Sequence, residues 1–319
     1  MVSIVIPVLS ERLSARRCLE AAVSSCSAGC EIVLVDGGIS GLASQLVANT
    51  PGLRDRVRSL RCTSQRRLWT LFRQGLDECH GKYVVFTSIH EWLEANALSS
   101  LAEEMDQLGV DLLQARKVKR IRRIPLKEQT ADIIPLHTAI SGPDFRELVE
   151  LSGDQRLITP CFTDKMWKTD LIRETLRLNF DGSWGTGEIL NFHYLRHARS
   201  MAFTDTVITN YLWASPVPSY SFRRIDDIKK VYQIKMLASQ GHDGGLRMEL
   251  RNHLIAYVQN LIFKLGWTRE AAVYYLRPSM EDRFWQTNGI TDTIDEIVDE
   301  ATRNHKRNTL TNILKQLSV

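Results

Sequence analysis

The chain has 319 residues, 44% hydrophobic and 24% charged, which is ordinary globular composition and enough for one large α/β domain or two smaller ones. That excludes a disordered chain, a collagen-like repeat and a disulfide miniprotein. The formal net charge of +4 suits phosphorylated ligands or an anionic membrane surface and is too weak to imply nucleic acid. No apolar run approaches the ~18 residues of a spanning helix. The opening V-S-I-V-I-P lacks a basic residue before it and is broken by proline, so it reads as a buried strand, not a secretory signal. Six cysteines (18, 26, 30, 62, 79 and 161) contain no C-x-x-C pair and are expected as reduced thiols in the cytoplasm.

In chain order, residues 2–8 form a first β-branched run, and 13–27 carry helical spacing with Leu13, Cys18, Ala21, Ala22 and Val23 near one face. Residues 31–35 are a second buried run that stops at Asp36-Gly37-Gly38. A short helix over 41–48 ends at Pro51-Gly52, a third strand follows at 57–62, and a helix over 68–79 closes near Gly81. Residues 83–86 are a fourth strand, 95–108 a helix and 111–118 a fifth strand. Near-continuous apolar strands alternating with helices predict a mostly parallel sheet covered on both faces. Beyond residue 120 the alternation weakens. Residues 116–123 hold six basic residues in eight, and 125–135 read as an irregular loop. A helix at 143–151 precedes a mixed region to Trp213, and helical segments are expected at 223–240, 246–265, 268–276 and 292–317.

In an open α/β sheet, ligands sit at the carboxyl ends of the strands. Two such ends are informative: Val35-Asp36-Gly37-Gly38-Ile39-Ser40-Gly41, and Phe86-Thr87-Ser88-Ile89-His90-Glu91-Trp92-Leu93-Glu94. With the opening strand, these resemble glycosyltransferase family 2, inverting nucleotide-sugar enzymes of GT-A fold, whose segments run V-S-I-I-I-P-x-Y-N, E-I-I-V-V-D-D-G-S-T-D and G-x-Y-I-x-F-L-D-S-D-D-W-L. Gly81-Lys82-Tyr83-Val84-Val85-Phe86 and Trp92-Leu93-Glu94 match the flanks of the last. Further on, Asp164-Lys165-Met166-Trp167-Lys168-Thr169-Asp170-Leu171-Ile172 is similar to K-L-Y-r-r-d-l-i, and Gly187-Glu188-Ile189-Leu190-Asn191-Phe192 to G-E-D-x-x-F. The resemblance implies an α/β GT-A domain over 1–215, with a nucleotide-binding half at 1–92 and an acceptor half at 93–215, and a C-terminal helical region at 216–319.

The sequence departs from the family at its chemistry. The D-x-D that holds Mg²⁺ or Mn²⁺ stands as Ser88-Ile89-His90, leaving Glu91 as the one nearby carboxylate for a metal. The aspartate of E-D, the usual base, is Ile189; Glu188 remains. A-R-N-x-G-L reads Phe72-Arg73-Gln74-Gly75-Leu76 after Leu71, and the tyrosine and asparagine after Pro7 are missing.

The resemblance implies nucleotide contacts at Pro7 and Asp36 and Glu188 as general base. With D-x-D lost, the functional reading of Ser88 and His90 is a cation-poor nucleotide site in which protonated His90 with Arg66, Arg67 or Arg73 offsets the diphosphate charge. Each has a plainer alternative. Asp36 is equally a turn aspartate capping the next helix, Ser88 and His90 loop residues of a dead site, and Glu188 a first-turn glutamate at a helix dipole. His193 and His197 share a helix face that reads as solvated or partly packed. The 116–123 run is either a phosphate- or membrane-facing patch or a solvated edge. Trp267, Tyr274 and Tyr275 are expected to pack the helical tail onto the body, with membrane anchoring as the alternative.

The expected activity is transfer of a sugar from a nucleotide sugar, UDP-type, to a hydroxyl of a glycan or lipid-linked glycan in surface polysaccharide synthesis. It is placed in the cytoplasm, with peripheral contact at the inner face of the membrane. No cofactor is certain, and a divalent metal is in doubt because D-x-D is lost. The competing reading is a catalytically inactive binding or scaffold subunit. A nucleotidyltransferase is disfavoured, since no glycine-rich phosphate loop with a lysine follows the first strand.

Overall fold

The computed structural model describes residues 1–9, 15–26, 29–38, 40–62, 67–121, 124–126, 135–155, 158–182, 185–212, 223–239 and 244–304. The chain divides into two compact units, Met1–Val217 and Pro218–Val319.

In the first unit the order is β1 (Val2–Val8), α1 (Ala15–Ser25), β2 (Cys30–Asp36), α2 (Leu42–Asn49), α3 (Pro51–Arg54), β3 (Val57–Arg61), α4 (Leu68–Asp77), β4 (Tyr83–Phe86), β5 (Glu91–Leu93) and α5 (Ala97–Leu108). There follow β6 (Leu112–Ile121), β7 (Ile124–Leu126), β8 (Ile140–Ser141), α6 (Gly142–Gln155), β9 (Lys165–Lys168), α7 (Thr169–Leu176), α8 (Thr186–His197) and β10 (Ser200–Leu212). The strands form one sheet in the order β3-β2-β1-β4-β9-β6-β10-β5, with β7 beside β6 and β8 beside β10.

The pairs β3–β2, β2–β1, β1–β4 and β6–β10 are parallel. β9 runs antiparallel between β4 and β6, so those two strands point the same way. Every position of β1 and β4 is buried, because helices cover both faces of a parallel sheet and such strands read as continuous apolar runs. α4 buries Trp69, Leu71, Phe72, Gly75 and Leu76 on one face. Gly75 sets how closely it lies on the sheet: a methyl there would come within 2.5 Å of Val5 Cγ1, so only glycine permits this approach.

Several expectations need correction. The region after β6 holds β9, β10 and two helices, α7 and α8, which appear in the sequence only as a mixed stretch. The loop expected at 125–135 begins as β7, which pairs with β6 at Lys119↔Leu126 and Arg120↔Pro125; residues 127–134 lie outside the described residues. Cys26 and Cys30, expected as free thiols, are joined by a disulfide. Of the basic run, Arg122 and Arg123 lie outside the described residues.

The second unit contains α9 (Arg223–Ser239), α10 (Gly244–Leu265), α11 (Arg269–Ser279) and α12 (Arg283–Thr287), then a 3₁₀ turn at Thr291–Thr293 and helix over 294–304. Ile228, Val231, Leu254, Val258, Trp285 and Val298 form its buried apolar interior. Tyr274 and Tyr275 are 74% and 50% exposed, and the Tyr275 ring lies 5.3 Å from those of Trp267 and Tyr274. No helix among the described residues is long and apolar enough to cross a membrane.

Candidate active site

The carboxyl ends of β1, β2 and β4 lie on one edge of the sheet. Asp36 closes β2 opposite Val8 and is wholly buried. One carboxylate oxygen accepts the Gly38 N–H at 2.9 Å, and the other accepts the Ser44 N–H in the first turn of α2 at 2.8 Å. Arg61 of β3 pairs with the first of these at 3.1 Å. Gly41, the N-cap of α2, has no side chain to offer, so Asp36 supplies the cap from five residues upstream. Expected to face a base, this carboxylate is consumed by the fold and has no surface left for a ligand. Pro7 is likewise buried within β1, opposite Val35.

The arginines disperse. Arg67, at the N-cap of α4, pairs with Asp181 at 3.2 Å. Arg73 is exposed on α4, on the side away from its buried residues. Arg66 lies outside the described residues.

After β4 the chain turns at Ser88-Ile89-His90. The Ser88 carbonyl accepts the Glu91 N–H at 3.0 Å and the Cys18 thiol at 3.3 Å, and the His90 N–H donates to Ser88 Oγ at 3.4 Å. Burial, reinforced by the Glu91 charge, pushes the Cys18 thiol up to about 12, so it is an inert neutral donor. Ser88 and His90 are half-buried.

Glu91 begins β5, opposite Tyr211 of β10, with a side chain only 9% exposed. It forms an ion pair with Lys117 of β6 and accepts from Thr163 Oγ1 at 3.1 Å through the same oxygen, Oε1. Its other oxygen, Oε2, is buried without a partner. Lys117 Nζ also reaches Thr163 Oγ1 at 3.0 Å and Cys161 Sγ at 3.4 Å. Burial alone would lower this lysine, but its acidic neighbours, Cys161 and Glu91, outweigh that and hold it above the ordinary lysine value.

The segment at 158–164 joins this cluster to α8. It wraps around Lys165, whose wholly buried ammonium donates to Thr159 O at 2.8 Å, Cys161 O at 2.7 Å and Asp164 at 2.8 Å. Asn191 Nδ2 of α8 contacts Cys161 O at 3.5 Å. Gly187, in the first turn of α8, sits so tightly against the Pro160 carbonyl that a Cβ there would overlap it. Glu188 follows, half-buried in that first turn, where a carboxylate is favoured by the helix dipole.

The structure therefore brings Ser88, His90 and Glu91 into one turn and links that turn to Glu188 through the 158–164 segment. It engages Asp36 and Arg67 elsewhere and leaves Arg73 exposed. His193 is buried and held down to about 4, chiefly by burial, whereas His197 is exposed; the two do not form a site. Lys117, Cys161, Thr163 and Asn191 are not singled out by the sequence. Lys117 was visible only as one member of the basic run.

Hard divalent cations want several oxygen ligands, carboxylates above all. The Glu91 carboxylate is already neutralised by Lys117, and no three His, Cys, Asp or Glu groups among the described residues are placed to hold an ion together. These residues do not fit Mg²⁺ or Mn²⁺, and Glu91 is a lysine's partner rather than a metal ligand.

Fold and site edge together define a GT-A glycosyltransferase class. Residues 3–166, just over half of the chain, match the family model Glycosyl transferase family 2, and the chain belongs to that family. Among solved structures it is similar to TarS 1–349 from S. aureus (12% identity, TM-score 0.58, covering 95% of this chain and 91% of that one). The same TarS fragment in complex with UDP-GlcNAc gives 10% identity and a TM-score of 0.57 over 95% and 92% of the two chains. The mannosyltransferase PcManGT from Pyrobaculum calidifontis, in complex with GDP-Man and Mn²⁺, gives 15% identity and a TM-score of 0.51 over 95% and 86%. No curated protein sequence matches the chain.

Proposed function

We propose that the protein transfers a sugar from a nucleotide-sugar donor, of UDP type, to a hydroxyl of a glycan or lipid-linked glycan, with inversion at the anomeric carbon. What supports the reading is that the helix turn carrying Glu188 is seated on the 158–164 segment, which also contacts Lys117 and Glu91 beside the Ser88-Ile89-His90 turn. A carboxylate on one side and a cation on the other suit a displacement in which acceptor and leaving group lie at opposite ends. Glu188 takes the acceptor proton as the acceptor oxygen bonds to the anomeric carbon, and the bond to the diphosphate breaks with its electron pair going to phosphate oxygen. The named ligands of the structural neighbours, UDP-GlcNAc and GDP-Man, support the donor class. We place the acceptor in surface polysaccharide synthesis, with the enzyme at the inner face of the membrane.

Glu188→Gln tests the reading. General-base catalysis contributes ~10²–10⁴-fold, so turnover with a UDP-sugar should fall by that factor while titrated donor affinity stays within about twofold. The loss of both D-x-D carboxylates favours a second reading, a non-catalytic binding subunit. An unchanged, low rate of donor consumption in Glu188→Gln, with donor binding intact, would select it.

A further inference from the structure

The turn at 88–91 contains a single carboxylate, and that carboxylate is neutralised from within the fold. β4 and β6 both pair with β9, and Val85 and Leu113 share the partner Met166. Lys117 lies four residues further along β6, still paired with Thr209 of β10, and its ammonium meets Glu91 of the turn that follows β4, at the strand ends where ligands of such sheets are received. The Lys117 side chain is 19% exposed, and its Nζ lies 4.8 Å from the Tyr211 ring.

We propose that Lys117 is the built-in cation of the donor site: its Nζ meets the donor diphosphate in place of a divalent metal, while Oε2 of Glu91 accepts a hydroxyl of the donor sugar. This rests on the nucleotide-sugar reading above and gives its two ends to two atoms. An ammonium has three donors. Here they go to Glu91 Oε1, Thr163 Oγ1 and Cys161 Sγ. The sulfur, at 3.4 Å, is a weak acceptor, and its hydrogen bond is the one a phosphate oxygen displaces. Glu91 and Thr163 then hold the ammonium in position. During transfer the diphosphate gains the electron pair of the broken bond, and a fixed positive charge offsets it without reorganisation. Lys117 gives up no proton.

The second half stands on the unpartnered oxygen. A buried carboxylate oxygen without a donor is costly. A metal would supply the missing partner only by facing the ammonium on the other oxygen, and an anion would be repelled. A neutral hydroxyl satisfies it with no change in charge. Both features belong to one molecule when that molecule joins a diphosphate to a sugar.

The test is calorimetric titration of UDP and GDP in EDTA. The double variant K117M/E91Q removes both charges, so neither is left buried alone. We expect wild type to bind one of the nucleotides, K117M/E91Q to bind it at least tenfold more weakly, and K117R to remain within about threefold. Equal binding by K117M/E91Q overturns the assignment, as does a K117R loss as large as that of the double variant. Wild type binding neither nucleotide removes the donor reading itself, and the proposal with it. If the double variant does not fold, E91Q alone decides: losing the competing carboxylate should tighten UDP binding threefold or more, and unchanged or weaker binding overturns the proposal.

Discussion

Two buried carboxylates stand at the same edge of the sheet and do different work. Asp36, at the end of β2, has both oxygens satisfied by two backbone N–H groups and Arg61. Glu91, just past β4, uses one oxygen for Lys117 and Thr163 and leaves the other unpartnered. A fully satisfied buried group is architecture, whereas a half-satisfied one carries a standing cost that a ligand can relieve. The difference divides the edge into a closed β2 end and an open β4–β5 end, where chemistry is to be sought.

Asp36→Ala should break the closed end most severely. It removes the α2 cap and leaves Arg61 without its partner, so urea unfolding should register a loss of about 3 kcal/mol. UDP affinity of the folded variant should change less than threefold; a tenfold fall would return Asp36 to the donor site. Gly187→Ala comes next. Its methyl overlaps the Pro160 carbonyl and must move the first turn of α8, costing about 2 kcal/mol in a thermal or urea melt. Because Glu188 moves with that turn, kcat should fall more than donor KM rises. Glu91→Ala should cost about 1–2 kcal/mol in the same urea assay: Lys117 loses its carboxylate but keeps Thr163, and the unsatisfied Oε2 leaves with the side chain. A loss as large as that of Asp36→Ala would erase the contrast.

The smallest effect is one of pH. His193 is held neutral, titrating at about 4 against an ordinary 6.5, with burial the main cause and Arg196 and His197 adding to it. Between these values the unfolded chain binds a proton that the folded chain refuses. His193 therefore costs nothing above pH 6.5 and progressively destabilises the fold as pH falls toward 4. Urea midpoints of wild type and His193→Leu, compared at pH 7 and pH 5, should show the wild type losing more on acidification.

How much was legible follows from the same physics. β1, β2 and β4 are uninterrupted apolar runs because both faces are covered, and α4 announces itself by spacing. β9 has only four residues, with lysine at both ends, and one of those lysines is wholly buried; no hydropathy pattern marks it as central to a sheet. Asp36 was visible as a candidate, but its role depends on Ser44 and Arg61, which only folding brings to it. Lys117 was masked by its neighbours. A strand sends alternate side chains to opposite faces, and what turns this basic residue inward is Glu91, 26 positions earlier, and Thr163, 46 later. Glu188 stands out in the sequence only through the likeness of Gly187-Glu188 to G-E-D-x-x-F; that Gly187 and Asn191 touch the 158–164 segment is visible only in the fold.

The account's central claim is that the open end is a donor site whose positive charge comes from the chain itself. Titrating UDP into wild-type protein in EDTA, and again with saturating Mn²⁺, tests this most directly. The predicted result is binding in EDTA with an affinity that Mn²⁺ improves by less than tenfold, about 1.4 kcal/mol. Binding that appears only with Mn²⁺, or tightens by more than that factor, would contradict it and restore a metal to the site.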